Sequence, residues 1–128
     1  MPTVPKLLMY NLKMLKTFLQ RFTYAISGIK IALKTDRSYR QQFYGIGTII
    51  LLFVAYKWPL EKIDILFLGL AYTLILITEL QNSSFEAALD KMHPEKHDEI
   101  GKSKDMAAGA VLTAGFFLIF VMISIALF

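Results

Sequence analysis

From Met106 to Phe128 the chain runs for 23 residues without a charged side chain. As a helix at about 1.5 Å per residue, that run is long enough to cross a bilayer with some tilt. Two further apolar segments precede it, and the whole chain of 128 residues is 55% hydrophobic, 19% charged and of mean hydropathy +0.50. One small water-soluble core cannot hide that much apolar material. No room remains for a Rossmann domain, a barrel or a soluble kinase fold, and the function therefore belongs in or at a membrane. Having no cysteine, the chain is also without disulfides, thiolate zinc sites, iron-sulfur clusters and cysteine nucleophiles.

The other two segments are shorter or more polar. Phe43 to Tyr56 is uncharged but covers only about 21 Å, so its flanks must reach into the interface. Ile65 to Thr78 continues as a helical pattern to Leu89, with acids set inside it. Spans are expected at about 41–57, 63–90 and 104–128, which puts the two ends of the chain on opposite sides. Before them, Leu8, Leu12, Leu15, Leu19, Phe22, Ile26, Ile29 and Leu33 recur at steps of three and four, with most of the lysines off that face. Residues 1–34 thus read as an amphipathic helix lying on the membrane, or packed on partner helices through the same stripe. Ser27-Gly28 offers a point at which it can bend or split. No cleavable signal is expected, since the first 20 residues carry three lysines and no long apolar run.

Charge sets the orientation. Eight of the 14 Lys and Arg lie in the first 40 residues against one acid, Asp36, and the 91–105 loop adds four more. The turn at 57–62 has two. The arm and the second loop are expected on the cytoplasmic side, with Tyr56 and Trp58 at the opposite interface. Because the basic residues are interleaved with Leu, Phe, Met and Ile, an anionic lipid surface is the expected partner and nucleic acid is not.

Chemistry concentrates in the second span. Glu79, Asn82, Ser83, Glu86 and Asp90 share an arc of about 100° on a helix, and a carboxylate facing lipid is costly. The stripe is expected to face protein, metal or substrate. Beyond the loop, Lys104 and Asp105 place a cation and an acid beside Glu86, suited to phosphates or to a solvated surface. Gly101-Lys102-Ser103 is not a P-loop, which would need glycine where Lys96 stands and a strand before it. His93 and His97 read as loop surface residues. Asp36 either neutralises the cations around it or completes a metal site with Glu86.

The stretch Glu79 to Asp90, the run Lys104-Asp105-Met106-Ala107-Ala108-Gly109-Ala110-Val111 and the Tyr39-Arg40 pair together resemble the bacterial integral-membrane diacylglycerol kinase family, whose close relatives phosphorylate undecaprenol. The resemblance covers roughly Gln20 to Phe128, with the preceding residues as an extension. It implies an all-α membrane protein, a single lipid kinase domain over 1–128, with a surface helix and three spans per subunit. It also implies a homotrimer in the bacterial inner membrane, with active sites on the cytoplasmic face. The implied reaction is ATP-dependent phosphorylation of a membrane lipid alcohol, diacylglycerol to phosphatidic acid first, with Mg²⁺ carried by ATP.

By position the resemblance assigns Glu79 as general base and Glu86 as metal ligand, with Asp36 where a second metal carboxylate, usually Glu, is found. Tyr24, Asn82, Glu95, Lys96, His97, Lys104 and Asp105 fall at nucleotide-site positions, Asn82 also orienting the site. Gln42 replaces a carboxylate often found after the aromatic-Arg pair. The alternatives are an undecaprenol kinase, a non-catalytic membrane subunit glued by the acid stripe, and a proton-coupled transporter. All the charged candidates sit on one side of the membrane, which a kinase requires and the last two do not.

Overall fold

The computed structural model describes residues 6–127. In chain order these form α1 (Lys6–Thr35), a single turn α2 (Arg37–Arg40), a π-helical turn (Gln41–Ile46), α3 (Gly47–Lys57), α4 (Lys62–Met92) and α5 (Asp98–Leu127). No strand occurs among the described residues, and the chain is all-helical. Residues 1–5 of the expected surface helix and Phe128 of the last span lie outside the described range.

The first helix is one unbroken rod of 30 residues. Ser27-Gly28 does not split it. Its Thr17, Thr23 and Thr35 hydroxyls donate to the carbonyls four residues back, so they add no unpaired polar group to an apolar surface. Of the whole helix, only Ala32 is buried. Leu8, Leu12, Leu15, Leu19 and Phe22 are all exposed within the chain, leaving the apolar stripe free for lipid or a partner.

A sharp corner ends α1. Asp36 takes up an extended backbone (φ −96°, ψ 117°), and its Oδ1 accepts the Tyr39 N–H at 2.8 Å, capping α2. From the far side, Arg40 Nη1 donates to the Lys34 carbonyl at 2.7 Å, satisfying one of the acceptors that the end of α1 leaves open. Tyr39, 3% exposed, fills the angle between them and leans on Phe43.

Beyond the corner, α2, the π turn and α3 continue end to end with helical backbone angles, a rod of about 30 Å. This rod occupies the expected 41–57 span but starts earlier and is wound differently at its beginning. Two helices, α4 and α5, are each long and apolar enough to cross a membrane. They form an antiparallel hairpin around the 93–97 loop. Leu68, Ala71 and Ile75 of α4 bury against Ala114, Leu118 and Val121 of α5, with Ile46, Ile50, Phe53 and Val54 of the rod packed on them. The 3,4 spacing on both helices gives each a single inward stripe. Ala71 is 0% exposed, and with Ala114 it lets the two backbones come close, which is how helices associate where lipid removes the hydrophobic drive. Of the expected small-residue series, Ala114 is buried, whereas Ala107 is half-buried and Ala110 exposed. At the other end, Glu61 and Asp64 form a capping box at the start of α4, and Lys57 Nζ donates to the Ala126 carbonyl at 2.9 Å.

Candidate functional site

The inward stripe of α4 changes character along its length. Leu68, Ala71 and Ile75 are apolar; one turn later comes Glu79, 3% exposed, then half-buried Asn82, Ser83 and Glu86. The helix periodicity that buries the core therefore also turns these polar groups away from lipid. Glu79 is the one buried charged residue among the described residues, and no described ion pair includes Glu79 or Glu86.

Beside Glu79 lies a cleft of about 440 Å³. Ser38, Gln42 and Ile46, at successive steps of four, face it from the rod, Ile75, Glu79 and Asn82 from α4, and Val111 and Leu112 from α5. Asn82 Oδ1 is buried and has no hydrogen-bond partner among the described residues. Such an acceptor is costly unless another group reaches it. The cleft thus holds a carboxylate, two amides and a hydroxyl between apolar walls, a set able to take a proton and orient an alcohol.

A second cleft, of about 560 Å³, lies under the loop, and Glu95, Lys96, His97, Lys104 and Asp105 all line it together with Asp90. Lys104 Nζ donates to Asp90 Oδ1 at 2.8 Å, which ties the start of α5 to the end of α4 and holds the cation half-buried at the rim. The Lys102–Glu99 pair at 2.6 Å is exposed on both sides and contributes little. The loop residues assigned to nucleotide contact thus share one polar hollow. Tyr24 does not join them. It is exposed on α1, its hydroxyl accepting from Gln20 Nε2 at 2.9 Å, and it lines neither cleft because α1 leaves the bundle there.

Within the corner Asp36 takes the first of its expected parts, lying against the Arg40 charge. Its carboxylate caps α2 beside Arg40, and it lies beside Ser83, one turn of α4 from Glu86. Burial pushes its carboxyl up; the Ser83 hydroxyl, the Tyr39 and Ser38 backbone N–H groups and the Arg40 charge outweigh that and hold it below the ordinary 3.8. Among the described residues no three His, Asp or Glu side chains gather into a complete metal cage. Asp36 and Glu86 offer hard oxygen donors, the chemistry that would suit a Mg²⁺ ion.

Sequence reasoning gave no role to Ser38, Gln42 or Tyr72. Ser38 and Gln42 were legible through their step of four, since both fall on the face of the rod that carries Ile46. Tyr72 had its own signal, a hydroxyl inside an apolar run seven residues before Glu79 and hence on the same face.

Comparison with known proteins adds the following. The family model described as prokaryotic diacylglycerol kinase matches residues 23–126. A diacylglycerol kinase of Synechocystis is 37% identical over 95 residues, covering 73% of this chain and 53% of the relative. The chain thus spans about half the length of that relative. The diacylglycerol kinase of Escherichia coli K12 is 30% identical over 91 residues, 71% of this chain and 73% of its own length. That of Haemophilus influenzae is 26% identical over 106 residues, with coverage of 83% and 88%.

Proposed function

Since the chain belongs to the prokaryotic diacylglycerol kinase family, whose members are membrane-bound lipid kinases, we propose that it transfers the γ-phosphoryl group of ATP to a membrane lipid alcohol, converting diacylglycerol to phosphatidic acid. The observation that carries this reading is Glu79: a carboxylate turned inward, free of described ion pairs, in a cleft that also holds Asn82 and Gln42. Its position on α4, about 10.5 Å along the axis from Glu86, suits a lipid headgroup rising from the acyl region.

In this reading Glu79 accepts the proton of the lipid hydroxyl as its oxygen bonds to the γ-phosphorus and the bond from that phosphorus to the β–γ bridging oxygen breaks, leaving ADP. Asn82 orients the hydroxyl. Lys104, steered by Asp90, faces the phosphates from the rim, with Glu95, Lys96, His97 and Asp105 around the nucleotide. Asp36 and Glu86 would hold Mg²⁺, which when bound would supply positive charge against the phosphates. Tyr24 reaches the nucleotide from a neighbouring subunit of a homotrimer. Each subunit crosses the inner membrane three times, the rod at 37–57 being the first span, with the loop and arm in the cytoplasm as the Lys and Arg distribution supports. The apolar stripe of α1 lies in the interface.

The purified protein in lipid nanodiscs with ATP and Mg²⁺, offered diacylglycerol and undecaprenol in turn, tests the proposal. Phosphatidic acid is the expected product. Phosphorylation of undecaprenol alone would move the assignment to the polyprenol, and no phosphorylated lipid from either would refute it. Glu79→Gln should lower turnover by about 10²-fold or more with the helical content and assembly unchanged.

A further inference from the structure

The mechanism above leaves one polar contact in the bundle unused. The Tyr72 hydroxyl, on the α4 face that carries Glu79, donates to the backbone carbonyl of Phe43, in the middle of the π-helical turn. Tyr72 reaches that carbonyl over Gly47: a Cβ on Gly47 would stand 2.8 Å from the hydroxyl oxygen and 3.4 Å from the ring carbon that bears it. The contact therefore requires both residues. A π-helical turn holds one more residue than an α-helical turn, and such turns are concentrated at functional sites. Were this one to relax to α-helix, Ser38, which precedes it, would rotate by about 100° relative to α3, and Gln42, inside it, by part of that, so both would shift in what they present to the Glu79 cleft.

We infer that Tyr72 and Gly47 act as a latch on the π turn, and that Tyr72 is a positioning residue that keeps Gln42 opposite Glu79. The inference rests on the reading of Glu79 as the base. Gln42 is the fitting group to hold there: a neutral amide, it can donate to the carboxylate or to the lipid hydroxyl without adding a second negative charge to a cleft lined by one carboxylate.

A double-mutant cycle in the full-length protein tests the latch. Y72F removes the hydroxyl and keeps the ring. G47A leaves the hydroxyl but drives it off the carbonyl. Each alone should lower kcat about tenfold, as misplacing a group in a reacting site does. KM for ATP should stay unchanged, because the loop cleft begins about 27 Å further along α4. In the Y72F background G47A should change kcat little, since the ring carbon then makes an ordinary contact. Unchanged kcat in Y72F, or two losses that simply multiply, would overturn the latch, as would a lowered Tm with kcat per folded protein intact. If Y72F does not fold, G47A decides alone: a fall in kcat at constant KM supports the latch, and wild-type kcat sinks it. Turnover of Glu79→Gln, measured alongside, reads the base assignment separately.

Discussion

At the scale of single residues, Asp36 joins structure to chemistry. Its carboxylate caps α2 through the Tyr39 N–H and meets the hydroxyl of Ser83, the α4 residue one turn before Glu86. The two parts come apart by substitution. Asn caps as well as Asp, whereas Ala does not, so Asp36→Ala should cost about 0.5–2 kcal/mol of stability and Asp36→Asn close to nothing. Both should raise the Mg²⁺ concentration for half-maximal turnover and leave the lipid KM alone; an unchanged Mg²⁺ dependence would remove Asp36 from the metal site. The carboxyl sits below 3.8 in the folded chain, so its contribution is full above that value and fades as pH falls through the lower folded value. Thermal unfolding below pH 3.8 should therefore be steeper in pH for the wild type than for Asp36→Asn. That Asp36 matters was legible as the single acid among eight cations. Its capping was not, because the Arg40 reach back to Lys34 and the extended backbone depend on where the corner turns.

Among the elements, α4 is the organising one. One stripe of it packs the core through Leu68, Ala71 and Ile75 and then carries Glu79, Asn82, Ser83 and Glu86. This was readable from sequence because helical periodicity and the penalty for acids in lipid point the same way. The π turn was not readable: Gln41 to Ile46 satisfies an α-helical pattern as well, and what distinguishes it is a hydroxyl 29 residues away on another helix. The Lys104–Asp90 tie is equally non-local, set by how the loop folds over. Ala71 gives the clearest test of the packing. With no exposed surface and α5 against it, Ala71→Leu should destabilise the hairpin by about 1–3 kcal/mol, seen as a lower Tm in detergent. A wild-type Tm would mean that the helices do not meet there.

For the whole molecule, the all-helical class and its two membrane-capable helices were open to inspection in the sequence, since charge-free runs are a property of composition along the chain. What covers the outward faces was not, because they are rich in Leu, Ile and Phe throughout. The dimensions of the hairpin carry a consequence of their own. At 31 and 30 residues, α4 and α5 are each about 45 Å long, against a hydrocarbon layer of about 30 Å. In the proposed orientation the surplus length lies at the polar end, which puts Glu79 near the oily boundary and Glu86 and the hollow beyond it in the headgroup zone. Acyl chain length then becomes a control on catalysis: nanodiscs of long-chain lipid should draw the carboxylates into oil and slow turnover, while short-chain lipid should strand the hydroxyl below Glu79. Activity plotted against chain length should pass through a maximum, with the depth of one glutamate acting as the gauge of the membrane it sits in.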